Sequence, residues 1–159
     1  MPITDTPEKS NNALTETLTI SNDIMQVASL NTFVKSLLCR IGVESKMAKK
    51  LQLGVEEAVV NVIDYAYPPG TQGTITLNAS YDRRQLRFVI TDTGVPFDPT
   101  LSLLPDITLN AEDRPIGGLG ILLMRELTDD ISYERTDGKN ILTLIFSKVQ
   151  KWADTTGDS

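Results

Sequence analysis

The sequence predicts an α+β fold, a two-layer α/β sandwich with one mostly antiparallel sheet and helices on one face. Three observations support this. Two segments with helical spacing come early, alternating strand-like runs follow them, and those runs meet at short turns. The length of 159 residues suits one domain with its own core, and 40% hydrophobic with 23% charged residues is an ordinary globular composition.

The elements are read in chain order. Residues 1–12 and the tail from about residue 150 are polar and expected to be loose, leaving a domain over 13–149. ALTETLTI (13–20) alternates as a strand does. SLNTFVKSLLCRIG (29–42) carries Leu30, Phe33, Val34, Leu37, Leu38 and Ile41 at helical spacing, with Gly42 as its stop and Cys39 expected in the core. A second helix runs from a cap at Ser45 to about Tyr67, where Pro68, Pro69 and Gly70 end it. GTITLNASYD (73–82) and QLRFVITDTG (85–94) read as strands joined at a solvated Asp82-Arg83-Arg84 turn. Residues 95–116 show no period, and a connection of that length is usually functional or mobile. GLGILLMRELTDD (118–130) reads as a helix packed through Met124 and Leu127 and ending at a solvated Asp129-Asp130. ISYERTDGKNILTLIFSKV (131–149) reads as a hairpin turning at Asp137-Gly138.

Composition excludes several function classes. A net charge of −6 argues against a general nucleic-acid surface, and no apolar run approaches the ~20 residues of a membrane span. The N-terminus shows no basic stretch followed by an apolar one, so no signal peptide is expected. A single cysteine fits a cytoplasmic protein without an internal disulfide. The absence of histidine removes Ser-His and Cys-His nucleophile pairs, His-based zinc sites and a phosphohistidine relay within this chain.

The second helix poses the central question. At about 100° per residue, Ala48, Leu51, Val55, Val59, Val62 and Ala66 form one apolar stripe roughly 80° wide. Glu57, Asn61 and Asp64 group almost opposite, with Glu56 to one side. A solvated polar face is the bland reading of that group. Val60, Ile63 and Leu53 flank it and suggest instead a partly walled site.

Two glycine-bearing loops add to this. In ITDTGVPFDP, Asp92 ends a strand and Gly94 follows; a carboxylate there can accept from an exocyclic amine, and glycine lets a flat ring approach the backbone. A plain Asp-x-Gly turn is the alternative. In PIGGLGILLMREL, Gly117, Gly118 and Gly120 precede a helix, whose free amides suit phosphate oxygens. A tight helix entry explains the same glycines. Neither the dinucleotide-binding G-x-G-x-x-G nor a P-loop is present.

Taken in order, VEEAVVNVIDYAYP, DTGVPFDP and RPIGGLGILLMRELTDDISYERTDGKNILTLIF resemble the bacterial anti-sigma-factor serine/threonine kinases, over about residues 14–148. These belong to the ATPase superfamily of gyrase, Hsp90, the histidine kinases and MutL, with the Bergerat ATP-binding fold. The resemblance implies ATP and Mg²⁺ as ligands, bound between a helix and a lid at about residues 98–116. By position it implies Asn61 as magnesium ligand, Glu57 as general base and Asp92, beside Gly94, as the group that binds the adenine amine. Gly118 and Gly120 would lie at the phosphates, Arg114 would contact them, and Thr143 would join the adenine site.

As function, the resemblance implies a kinase of a partner-switching system that phosphorylates a Ser or Thr of a STAS-domain anti-sigma-factor antagonist. It would bind that antagonist or a sigma factor, with no direct nucleic acid and no membrane. Family members are often homodimers, which the first strand and helix could support. A nucleotide-gated binding module without useful kinase activity is the alternative, against which Glu57 speaks. The catalytic domain of a split histidine kinase would need its phosphoacceptor on another chain. Leu101, Leu103 and Leu104 in the expected lid would pack on the domain when nucleotide closes it, or meet a partner.

Overall fold

Alternation of side chains along five strands fixes which face of the sheet is buried. The computed structural model describes residues 13–82, 84–102 and 124–147. The strands are β1 (Leu14–Ser21), β2 (Thr74–Asp82), β3 (Gln85–Asp92), β4 (Asp130–Thr136) and β5 (Lys139–Phe146). They form one sheet in the order β1-β2-β3-β5-β4, and every neighbouring pair is antiparallel. The helices are α1 (Val27–Ile41), α2 (Ser45–Tyr65) and a single turn α3 (Pro99–Ser102), with a 3₁₀ turn at Ile24–Gln26 leading into α1.

One side chain set from each layer makes the core. Ile75, Leu77 and Ala79 of β2, Leu86, Phe88 and Ile90 of β3 and Leu142, Leu144 and Phe146 of β5 are buried on one face. Against them pack Leu30, Val34, Leu37 and Leu38 of α1 and Leu51, Val55, Ala58, Val59 and Val62 of α2. Phe88 and Phe146 meet edge to face at 6.0 Å, the arrangement that ring quadrupoles favour. The α+β sandwich expected from the sequence is therefore the fold observed.

Turn chemistry sets the boundaries. Gly42, at φ 85°, ends α1 in the left-handed region that glycine enters without strain. Asp137 and Gly138, at φ 52° and 74°, make the tight turn of the β4–β5 hairpin. Asp82 accepts from the amides of Arg84 and Gln85 and so closes the β2–β3 turn.

Three expectations need correction. Glu44, not Ser45, caps α2, its carboxylate accepting from the Lys46 amide. Cys39 is exposed, because one residue past the buried Leu38 the helix has turned about 100° toward solvent. Asp129 and Asp130 are exposed as expected but stand past the helix: Asp130 opens β4, while the Asp129 carboxylate accepts from the Ser147 amide. Residues 103–123 lie outside the described residues, and with them most of the expected lid and the start of the 118–130 helix. Arg83 and both tails lie outside them as well. Within that helix, residues 124–127 are helical and Met124 is buried as expected.

A core read this way makes a contrast. Phe88→Ala should destabilise by about 3–5 kcal/mol in denaturant unfolding. Cys39→Ser should stay within about 0.5 kcal/mol of wild type.

Candidate functional site

The C-terminal half of α2 supplies the first group of side chains. On its outer flank, the Glu56 carboxylate accepts from Asn31 Nδ2 of α1 at 2.8 Å, so this acid ties two helices together. One residue on, and about 100° round the helix, Glu57 is half-buried and held above the usual carboxylate range. Burial is the main cause, and the negative charges of Glu56 and Asp64 add to it. Asp64 itself is exposed.

Asn61 is where the structure departs most from a solvated polar face. It is only 8% exposed, and its Nδ2 is buried with no hydrogen-bond partner among the described residues. The apolar arc of α2 is wider than the sequence stripe, because Met124 packs on Gly54 and Ala58 is also buried. Gly54, Ala58 and Asn61, at i, i+4 and i+7, share one flank of the helix, and all three are buried. A buried amide left unpaired costs about 1–3 kcal/mol, so its presence calls for a compensating role.

The second group lies where β3 meets the end of α2. Asp92 is 2% exposed, and its Oδ1 accepts from the Gly94 amide and from Asn140 Nδ2, each at 2.8 Å. Burial raises its pKa, while those two donors and the charge of Arg135 pull the other way. Both of these donors, among the described residues, address Oδ1, and a carboxylate oxygen such as Oδ2 has the chemistry to accept from an amine. The Val95 amide donates to the Ala66 carbonyl at 2.7 Å, fixing this loop to the helix end. A Cβ on Gly94 would stand 2.2 Å from that same carbonyl oxygen, so the glycine is demanded by the helix behind it.

Tyr67, just past α2, locks the corner. Its hydroxyl donates to the Thr74 carbonyl at 2.7 Å and accepts from the Thr93 amide at 3.0 Å. The double proline thus delivers a buried tyrosine between the ends of β2 and β3.

Along α2 the three functional positions are ordered. Counting back from Ala66, which holds the Asp92–Gly94 loop, Asn61 lies about 7–8 Å and Glu57 about 13–14 Å along the axis, at 1.5 Å per residue. A buried carboxamide and a carboxylate of raised pKa therefore follow one another along the helix whose end holds the Asp92 loop.

Thr143 does not join the Asp92 cluster. It pairs with Val89 and Ser132, three positions along β5 from Asn140, and alternation puts it on the opposite face of the sheet from Asp92. Asn140 stands opposite Asp92 in the register and makes the contact instead. The sequence does carry a signal for it: Asn140 is the one polar residue in the inward series Asn140, Leu142, Leu144, Phe146. Arg114, Gly118 and Gly120 lie outside the described residues.

The site fits a magnesium-bound nucleotide. No cluster of three Asp, Glu, Cys or His side chains among the described residues could hold a metal by itself. Magnesium, however, keeps most of its waters and takes one or two protein oxygens together with phosphates. The Asn61 carboxamide offers one such oxygen, and its unpaired Nδ2 a donor for a phosphate or a water.

With this geometry in hand, the class is defined: the chain belongs to the histidine kinase-like ATPase domain family, whose profile matches residues 20–146. It is similar to the serine/threonine-protein kinase BtrW of Bordetella bronchiseptica, 32% identical over 130 residues, covering 82% of this chain and 92% of that one. It is also similar to the serine-protein kinase RsbW of Bacillus cereus, 28% identical over 120 residues, covering 73% and 74%. Among solved structures, the RsbU and RsbW domains of Rv1364c from Mycobacterium tuberculosis share the fold at a TM-score of 0.59 and 15% identity. That match covers 84% of this chain and 32% of the other. No helix among the described residues is long and apolar enough to cross a membrane.

Two measurements test the site's construction. Gly94→Ala sets a methyl group against backbone and should destabilise by about 1–3 kcal/mol. Glu57 gives a signed pH effect. Its folded pKa is raised, so the stability linked to it is full below the unfolded pKa and is lost as pH rises through the folded one. Glu57→Gln should therefore raise the melting temperature at about pH 7.5 and leave it close to wild type at about pH 4.

Proposed function

We propose that this chain is an ATP-dependent protein serine/threonine kinase of a partner-switching system. Its substrate is a Ser or Thr on a STAS-domain anti-sigma-factor antagonist, and a sigma factor is a second binding partner. The observation that carries the reading is the buried Asn61, whose Nδ2 has no partner among the described residues, one helical turn from the half-buried Glu57. The kinase names of the relatives support it. A cytoplasmic site of action fits a chain with a single cysteine.

The roles follow from the chemistry of each group. Asp92 Oδ2 accepts from the adenine amine, and Gly94 keeps the loop close to the helix end. Asn61 would hold magnesium through its carboxamide oxygen, where the ion would supply charge neutralisation for the phosphates. Glu57 takes the proton of the attacking hydroxyl as that oxygen bonds to the γ-phosphorus and the bond to the ADP oxygen breaks. Its raised pKa makes it a better base near neutrality than an ordinary glutamate. Gly118, Gly120 and Arg114 complete the reading as phosphate contacts within a lid at about 98–116. Thr143 is left without a role in it.

Transfer of labelled phosphate from ATP-Mg²⁺ to candidate STAS proteins is the direct test. Glu57→Gln should lower transfer by about 10²-fold or more while nucleotide still binds. Asn61→Ala should weaken magnesium-dependent ATP binding in calorimetry. Nucleotide binding without transfer to any candidate would instead favour a gated binding module.

A further inference from the structure

Asn140 has all four of its side-chain hydrogen-bonding positions engaged, and the pattern leaves no freedom in its orientation. Nδ2 donates to Asp92 Oδ1 and to the Val95 carbonyl, each at 2.8 Å. Oδ1 accepts from the Phe97 amide at 3.2 Å and from the Tyr133 hydroxyl. Carbonyl and carboxylate acceptors thus flank the nitrogen and an amide donor and a hydroxyl the oxygen, and a flipped carboxamide would lose the bonds to Asp92, Val95 and Phe97. The side chain is 3% exposed, and β5 holds it directly opposite Asp92.

Resting on the nucleotide-site reading above, we propose that Asn140 is the positioning residue that sets purine specificity. It fixes the Asp92 carboxylate so that Oδ2 faces the base as an acceptor, selecting a 6-amino over a 6-oxo purine. Oδ1 already receives two donors, Asn140 Nδ2 and the Gly94 amide, and so has no place for a proton. A 6-oxo purine would bring its carbonyl oxygen against Oδ2, acceptor against acceptor, whereas adenine brings an N–H. The same carboxamide ties down Val95 and Phe97, so the loop beside the base and the specificity carboxylate are set by one residue. Among the described residues, the charged and titratable groups that touch this cluster include Tyr133 on β4, which bonds Asn140, Arg135 on β4, which donates to the Gly94 carbonyl, Tyr67 after α2, and Tyr65, whose ring packs on Phe97. None of them donates to Asp92 Oδ1 in place of Asn140.

The test compares ATP-Mg²⁺ with ITP-Mg²⁺ binding by calorimetry in wild type, Asn140→Thr and Asn140→Val. The two variants have the same shape and differ in one hydroxyl donor. Wild type should prefer ATP by about tenfold or more, the value of one charge-assisted hydrogen bond. The valine variant should lose most of that preference, and the threonine variant should keep a larger share of it. If the branched pair does not fold, Asn140→Ser and Asn140→Ala make the same comparison. Variants that bind both nucleotides more weakly but keep the wild-type ratio would overturn the proposal alone, leaving Asn140 a structural residue. Wild-type protein that binds neither nucleotide would overturn the nucleotide-site reading together with it.

Discussion

The contact between the Gly94–Val95 backbone and the Ala66 carbonyl joins the two layers of the site. It is made of one 2.7 Å hydrogen bond and the absence of a Cβ. Because it is backbone to backbone, no rotamer change can relax it, and it fixes Asp92 relative to the axis of α2. Everything farther back along the helix is then set by helical rise and rotation. The positions of Asn61 and Glu57 relative to Asp92 thus follow from one contact and from the geometry of one regular element.

That geometry has an energetic consequence. The described residues leave Asn61 Nδ2 buried and unpaired and hold the Glu57 carboxyl in surroundings that disfavour its charge. Each feature opposes folding, and each is of the kind that a bound ligand relieves. The site is therefore a strained region within a well-packed frame, whose apolar residues from α1, α2, β2, β3 and β5 form one continuous cluster. Binding that satisfies Asn61 would also stabilise the fold, as ligands specific to the native state do.

Much of this was legible in the sequence, for identifiable reasons. Alternation gave the strands, the 3.6-residue period gave α1 and α2, and residues suited to positive φ marked the turns at Gly42 and Asp137-Gly138. Glu57 and Asn61 stood out because polar residues clustered on a helix that is otherwise apolar. The depth of Asn61 was not legible, since burial on that flank depends on tertiary packing, of which Met124 against Gly54, seventy positions apart, is one instance. Asn140 does not stand out in the sequence motifs, whose resemblance points to Thr143 three residues on. Strand parity, which separates the two onto opposite faces, becomes decisive only when the register with β3 is known. The sequence motif offers Gly94 as room for a flat ring, and the structure adds a neighbour within the chain, the Ala66 carbonyl.

The pair Glu56 and Glu57 shows how finely a helix can divide labour. Adjacent acids on a strand would face opposite sides, but on α2 they are separated by about 100°, enough to give them different neighbours while leaving their charges in contact. Glu56 spends its carboxylate on Asn31 and holds α1 to α2. Its charge nonetheless reaches Glu57 and helps keep that carboxyl above the usual range. A residue with a structural bond thus also tunes the acid beside it. Replacing Glu56 by glutamine would keep a partner for Asn31 and remove the charge, so its effect on Glu57 should be electrostatic alone. The readout is the pH dependence of transfer, whose lower limb should move toward lower pH in that variant as the repulsion on Glu57 falls.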